Sequence, residues 1–337
     1  MEKKNTIFNF IYPYDNDLLK DLSGEDLQIL LVLLDEYKLK LRKDTNIPKN
    51  VTFGIEIEVE NLKDSKSQEI YDNLPNEDWK YTNDLSLRKG IEVVSPILID
   101  EKKTWKEISK ICKYLKTISE ISSNTAGHIH IGAQIMKDDT NKWLNLLKLW
   151  SVYENIIFRF SNGEYINSRM SQQRYAPAVK EQLEKEYDIL KKCGYDVKNT
   201  LRILKHDRNQ AINFENIFPD RYNEFYKDNT IEIRCPNGTL NPIIWQNNIN
   251  FFTKFLLYCN DNEFDYDTVL KREEKNNKNK VNYTKYEAIY LEQALELADL
   301  LFNNNKDKVY FLRQYLKSFE IDKSYNSALK KAKVFTK

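Results

Sequence analysis

Residues 53–60 alternate strictly between apolar and other side chains, and this pattern constrains the fold more than any other segment. The run FGIEIEVE has an apolar residue at every odd position, and its last three even positions are Glu56, Glu58 and Glu60. Because successive side chains of a strand point to opposite faces, the segment predicts a β-strand with one packed face and one acidic face. Half-buried strands often have a charged solvent face, so this pattern alone leaves the function open.

The composition predicts a globular protein and argues against two classes of partner. Of the 337 residues, 41% are hydrophobic and 31% are charged, which provides enough apolar material for a sizeable core. The formal net charge is +1, so no field of one sign attracts nucleic acid or a membrane surface. The longest aliphatic run, residues 29–34, is far shorter than the roughly 20 residues that span a bilayer. Because the N-terminus also lacks a signal-peptide apolar core, we expect a cytoplasmic protein.

Cysteine and histidine usage narrows the candidates for a chemical site. The four cysteines lack the spacing of a zinc site, and we interpret them as packing residues in a reducing compartment: Cys112, Cys193, Cys235 and Cys259. Only three histidines occur, and two of them, His128 and His130, stand two residues apart in the segment GHIHIG. On a strand both imidazoles would share one face, where a pair of histidines suits metal or phosphate contact.

Two other segments place charged side chains on predicted strands. Glu92 stands among apolar residues, and Glu232 and Arg234 alternate with isoleucines in TIEIRC. Each has an ordinary interpretation, since Glu92 could pair with Arg88 or Lys89, and Glu232 with Arg234. An unpaired buried carboxylate is costly, however, whereas acids that face one another across strands form an oxygen-rich cage suited to Mg²⁺ or Mn²⁺. We therefore expect these strands to lie in one sheet with their charged side chains converging.

The order of the predicted elements indicates an α+β fold with an antiparallel sheet. Short alternating strands are separated by helical patterns, and the lack of fully apolar strands argues against a doubly wound parallel sheet. A capping box at Thr104 and Glu107 predicts one helix start, and Asn241 followed by Pro242 predicts another.

Changes in composition predict three regions along the chain. Residues 1–50 form an N-terminal helical extension, with a helix from Ser23 to about residue 43. Residues 51–265 form a central domain that contains all the charged strand segments named above. Residues 266–337 contain a linker and a C-terminal helical extension, and the linker is the stretch 271–280, which is rich in Lys, Glu and Asn.

Taken in order, the motifs resemble those of the amidoligase group in the superfamily of glutamine synthetase and glutamate-cysteine ligase. They are ExE, then DxS with ExxSP, then HxH between glycines, then ExR before a Gly-Thr-Leu turn. The resemblance spans residues 51–259, and the segments 174–177 and 208–213 also look like the group's substrate-side segments. It implies a curved antiparallel sheet, packed with helices, that holds two or three Mg²⁺, or Mn²⁺, between ATP and an acyl substrate.

The same resemblance implies a role for individual residues. The metal ligands would form two sets, with Glu58, Asp84 and Glu92 around one ion and Glu56, His128 and Glu232 around another. Arg234 and His130 would contact the phosphoryl groups, and Arg174 and Arg208 would hold a substrate carboxylate or phosphate unless they form surface salt bridges. Relatives commonly have an extra residue before the first histidine, which leaves His128 and His130 as alternative ligands.

The implied activity is an ATP- and Mg²⁺-dependent ligase that joins a small-molecule or peptide carboxylate to an amine. A carboxylate must be activated before an amine can attack it at neutral pH, and an acyl phosphate supplies that activation without a protein nucleophile. Two alternatives remain. One is a kinase of the same superfold that transfers the phosphoryl group to nitrogen, and the other is an inactive protein that binds nucleotide or peptide.

Overall fold

The computed structural model describes residues 39–63, 67–122, 124–136, 139–162, 176–193, 209–217, 229–279 and 288–317. Its six strands are β1 Phe53–Val59, β2 Lys80–Asp84, β3 Gly90–Val94, β4 Gly127–Gly132, β5 Ile212–Asn213 and β6 Thr230–Ile233. Its eight α-helices are α1 Ser67–Asn73, α2 Lys102–Ile118, α3 Thr140–Asn162, α4 Lys180–Cys193, α5 Pro242–Cys259, α6 Tyr266–Asn279, α7 Ala288–Leu301 and α8 Asn305–Lys317. No described helix is long and apolar enough to cross a membrane.

All six strands belong to one sheet in the order β2-β3-β1-β4-β6-β5. Every neighbouring pair is antiparallel, so the predicted α+β class with an antiparallel sheet is confirmed. β1 lies between β3 and β4 at the middle of the sheet. The acidic strand that the sequence singles out is therefore flanked on both sides by the other motif-bearing strands.

The two faces of the sheet differ in chemistry because apolar and other residues alternate along β1, β4 and β6. On one face the isoleucines of β1, β4 and β6 are at most 1% exposed, namely Ile55, Ile57, Ile129, Ile131, Ile231 and Ile233. Helix α2 packs on this side, where Trp105 stacks on Phe53 with ring centroids 5.6 Å apart. Helix α5 approaches it closely, since a Cβ on Gly127 would lie 2.8 Å from the Trp245 ring. The glutamates and histidines occupy the opposite face.

The N-terminal ends of two helices test the capping predictions. Helix α5 begins as predicted, with Asn241 as N-cap accepting from the Ile243 backbone N–H and Pro242 in the first turn. The capping box predicted for α2 is wrong, because the helix begins at Lys102 and its N-cap, Glu101, makes no side-chain capping bond. Thr104 is buried inside the helix.

The predicted N-terminal helix lies mostly outside the described residues, and its predicted last turn is not helical. Residues 39–43 are irregular. The Arg42 backbone N–H donates to Gln246 Oε1 at 2.8 Å, and the Gln246 amide donates back to the Arg42 carbonyl at 3.0 Å. These bonds to a distant side chain replace the intrahelical bonds that the sequence pattern predicts.

The chain divides into two compact units. One comprises Leu41–Ser151 and Ser168–Phe264 and contains the whole sheet. The other comprises Met1–Lys40, Val152–Asn167 and Asp265–Lys337, and its described part includes α6, α7 and α8.

The second unit contains one clear departure from the sequence expectation. Residues 271–279, predicted as solvated linker, belong to helix α6. Arg272 explains the difference, because its side chain is 1% exposed and donates to both carboxylate oxygens of Glu296 at 2.8 Å. Glu292 accepts a third bond from Arg272 at 3.2 Å. The stretch is therefore a helix that the buried Arg272 links to α7, while most of its other described side chains are exposed.

Candidate functional site

Strand register brings the predicted side chains onto one face of the sheet. Glu56 lies opposite His128, Glu58 opposite Glu92, and His130 opposite Glu232. Directly paired residues on antiparallel strands have Cβ atoms about 5 Å apart. The expected convergence of the charged side chains is therefore confirmed.

Three groups of these residues have the geometry to hold a cation. In each group one ligand atom per residue lies within 4.8 Å of the others, and the groups are Glu58, Asp84 and Glu92; Glu56, Glu92 and His128; and Glu56, His130 and Glu232. The first matches a predicted ligand set. The structure groups Glu232 with His130, although His128 Nδ1 also lies 3.9 Å from Glu232 Oε1.

Glu56 is the centre of the site. His128 Nδ1 and His130 Nε2 each lie 2.8 Å from one of its two carboxylate oxygens. Burial alone would raise the pKa of Glu56, but hydrogen bonds and charge from the two histidines hold it far below its usual value. Burial likewise opposes protonation of His130, yet Glu56 and Glu232 raise its pKa overall. Glu56 is thus an anion held between two imidazoles.

Burial and, after it, charge repulsion act on Glu92 in the group at the β2 side of the sheet. Burial, together with the charges of Glu56, Glu58 and Asp84, raises the pKa of Glu92 from 4.5 to about 7. Glu58 is partly compensated, since its Oε2 accepts the Ala126 backbone N–H at 2.6 Å. Carboxylates that repel one another in this way are stabilised by a bound divalent cation.

On the other side of β4, Glu232 is held from two directions. Arg234 Nη1 donates to Glu232 Oε1 at 2.5 Å, and the Asn213 amide donates to Oε2 at 2.7 Å. The ordinary interpretation of Glu232 and Arg234 as an ion pair is therefore present. Arg234 keeps further capacity, because its Nε is buried without a hydrogen-bond partner among the described residues.

A comparison with protein families shows the family to which the chain belongs. The model of the family described as "putative amidoligase enzyme" matches residues 70–256, more than half of the chain. This chain belongs to the amidoligase family. The match begins after β1, so Glu56 and Glu58 lie outside it. The pairing of β1 with β3 and β4 places these two glutamates beside residues that the match includes.

Other comparisons add little to the identification of the amidoligase. No curated protein matches the chain. A crystal structure titled as a novel glutamine synthase homolog aligns with a TM-score of 0.38 and 9% identity, over 85% of this chain and 71% of its own.

Two predicted substrate residues of the amidoligase, Arg174 and Arg208, lie outside the described residues. Of the predicted packing cysteines, Cys112, Cys235 and Cys259 are buried thiols. Burial raises the pKa of the Cys112 thiol to about 12 and that of Cys259 well above its usual range. Neither thiol is suited to nucleophilic catalysis.

The sequence motifs assign no individual role to two residues that contact the site, although Asn213 ends the segment 208–213 that resembles the amidoligase group's substrate-side segments. Asn213 bonds Glu232, and Thr230 Oγ1 lies 3.2 Å from His130 Nδ1. Thr230 was detectable, since it stands two residues before Glu232 and shares its strand face. Asn213 lies on the two-residue strand β5, which is too short to show a periodic pattern.

Glu92→Gln should stabilise the amidoligase in EDTA and reduce its loss of stability with rising pH. The folded pKa of Glu92, about 7, is above its ordinary 4.5. The contribution of Glu92 to the free energy of unfolding is therefore fully favourable below pH 4.5 and is lost as the pH rises through 7. The shift corresponds to about 3 kcal/mol, which screening of a partly exposed group reduces to about 1–2 kcal/mol at about pH 8.

Urea unfolding at about pH 5.5 and about pH 8 measures this effect. Glu107→Gln, which changes a glutamate bonded to Trp79 and Asn76, serves as the control and should not stabilise. Because the raised pKa of His130 acts in the same direction, some pH dependence should remain in Glu92→Gln. If the free energy of unfolding changed equally with pH in the variant and the wild type, ionisation of Glu92 would not destabilise the folded protein.

Proposed function

We propose that this amidoligase joins a carboxylate to an amine at the expense of ATP, through an acyl phosphate. The observation that carries the proposal is the convergence of Glu56, Glu232 and Arg234 on one sheet face together with the ligands from β2, β3 and β4. Family membership gives the reaction class, and the side-chain chemistry supports this route.

The donor set fits Mg²⁺ or Mn²⁺. Hard divalent cations prefer carboxylate oxygens, and Mn²⁺ also accepts imidazole nitrogen. The pKa of Glu92 is raised by burial and by the neighbouring acids Glu56, Glu58 and Asp84, and a bound cation would offset both effects. We propose that the three groups named above hold the ions. Held by these residues, a divalent cation would supply positive charge to offset the phosphate oxygens of ATP and the substrate carboxylate.

Arg234 is suited to the transferring phosphoryl group. Its side chain is 11% exposed, and the bond from Nη1 to Glu232 orients the guanidinium, which has further N–H donors for a phosphoryl oxygen. A planar guanidinium offers two parallel donors to such an anion. His130 is the more exposed imidazole, with 19% of its side chain accessible against 6% for His128. We therefore propose His130 as the second donor to phosphate.

The substrates follow from this chemistry. The acid is a small-molecule or peptide carboxylate, and Arg174 and Arg208 are the proposed anion-binding residues. The amine attacks the acyl phosphate carbon, the carbon–oxygen bond to phosphate breaks, and inorganic phosphate leaves. No protein nucleophile takes part, in keeping with the buried, poorly acidic thiols of Cys112 and Cys259.

Hydroxylamine trapping tests the proposal. In the presence of ATP, Mg²⁺ and a panel of amino acids and short peptides, the productive acid should yield a hydroxamate, with ADP released in equal amount. The intercepting amine attacks the activated acyl carbon, so a hydroxamate appears only where an acyl phosphate or equivalent forms. Colorimetric hydroxamate detection and coupled ADP release provide the two measurements.

Other outcomes identify the alternatives. A kinase acting on nitrogen would release ADP and yield a stable phosphorylated amine without acid-dependent hydroxamate. An inactive nucleotide-binding protein would change its melting temperature with ATP and release no ADP. Either result across the whole panel would contradict the ligase assignment.

A further inference from the structure

We propose that Asn213 is a positioning residue that fixes which oxygen of Glu232 faces the cation site. The inference rests on the proposed metal site and gives an individual role to Asn213, which the sequence motifs place only at the end of the segment 208–213 that resembles the group's substrate-side segments. It concerns a single contact, the bond from the Asn213 amide to Glu232 Oε2 at 2.7 Å. Both side chains are buried, with 3% of Asn213 and 6% of Glu232 exposed.

The direction of the Asn213 amide is fixed by its other end. Its Oδ1 accepts the Glu215 backbone N–H at 2.8 Å. Because only the carbonyl oxygen of the amide can accept that bond, the NH₂ group must be the one presented to Glu232. The 3-10 turn Glu215–Ile217 therefore orients the donor.

Backbone pairing sets the distance between the two side chains. Asn213 lies directly opposite Glu232 where β5 pairs with β6. The short edge strand β5 thus places the Asn213 amide beside Glu232, on the side of β6 away from β4. This contact stabilises one orientation of the carboxylate.

The consequence concerns the remaining oxygen of Glu232. The terminal torsion of a glutamate is broad and roughly twofold, so an unrestrained carboxylate rotates readily. Arg234 Nη1 bonds Oε1 at 2.5 Å, and Asn213 adds the bond to Oε2, so that the two partners together keep Oε1 on the side of His128, whose Nδ1 lies 3.9 Å away. Partners of this kind typically contribute 10- to 100-fold to metal affinity.

Asn213→Ser tests the role of the amide donor. The serine hydroxyl can accept the Glu215 N–H as asparagine does, but it is too short to reach Glu232. We expect Mn²⁺ binding, followed by the decrease in the free-ion electron paramagnetic resonance signal, to weaken about tenfold. Asn213→Thr, which suits a strand and also has a hydroxyl acceptor, is the second variant if the serine protein does not fold.

The chain offers a closely matched control outside the site. Asn76 Oδ1 accepts the Asp78 backbone N–H at 3.0 Å, and its amide donates to Glu107 at 3.0 Å. Asn76→Ser removes the same kind of amide-to-carboxylate bond. It should leave Mn²⁺ affinity unchanged.

A double-mutant cycle with Glu232→Gln separates positioning from a general structural effect. If Asn213 acts through the carboxylate, Asn213→Ser should cost about tenfold in the wild-type background and almost nothing beside Glu232→Gln. An equal loss in both backgrounds, or no loss in either, overturns the proposal while the metal site stands. A wild-type protein that binds no Mn²⁺ overturns the metal site itself, and this inference with it.

Discussion

Glu56→Ala should abolish ATP-dependent turnover, lowering it about a thousand-fold or more. Glu56 belongs to two of the three candidate ligand groups, and its two oxygens bond His128 and His130. Removing its carboxylate therefore disrupts two cation positions and releases both imidazoles from their orientation. No neighbouring acid can substitute directly, because Val94 and His128 are the residues opposite Glu56 on the flanking strands.

Hydroxamate formation and the Mg²⁺-induced rise in melting temperature should both be measured for this variant. The rise should largely disappear, since a ligand that binds only the folded state stabilises it in proportion to its affinity. Glu69→Ala, on the exposed surface of α1, is the control and should behave as the wild type. A Glu56→Ala protein with normal Mg²⁺ stabilisation would show that Glu56 does not bind the ion.

Arg234→Lys should retain nucleotide binding and lose about a hundred-fold or more of hydroxamate formation. Lysine preserves the charge and can still pair with Glu232. A lysine ammonium lacks the planar set of donors with which a guanidinium can bond Glu232 and a phosphoryl oxygen at the same time. The loss should therefore fall on kcat and only weakly on the Kd for ATP.

Isothermal titration with ATP and steady-state hydroxamate kinetics distinguish the two effects. Arg88→Lys, at an exposed position between β2 and β3, provides the matched substitution outside the site. If Arg234→Lys weakened ATP binding and kcat/KM equally with kcat unchanged, Arg234 would be a ground-state nucleotide contact rather than a group that acts on the phosphoryl transfer.

Local alternation in the sequence predicts most of the site. It places Glu56 and Glu58 on one face of β1, and the same reasoning applies to His128 and His130 on β4. It cannot predict which strands are neighbours, because pairing depends on contacts between residues far apart in the chain. The grouping of Glu232 with His130 follows from the register of β4 on β6, and no local pattern reports that register.

The errors have physical causes of the same kind. Strand β2, with the sequence KYTND and no fully buried residue, lacks the apolar alternation that predicts a strand. Helix α6 resembles a linker in composition because the acids that neutralise Arg272 lie on α7. In both cases residues distant in sequence stabilise the strand or helix, and intrinsic propensity does not include their contribution.

The strict alternation of β1 also couples folding to assembly of the site. A slip of one residue in its pairing would turn Glu56 and Glu58 into the apolar side and expose Ile55 and Ile57 to water. Burying two carboxylates without partners would cost several kcal/mol, a large fraction of the stability of a domain. Misregistered molecules should therefore unfold rather than persist as inactive native-like protein, so that the amount of folded protein reports directly on the number of assembled sites.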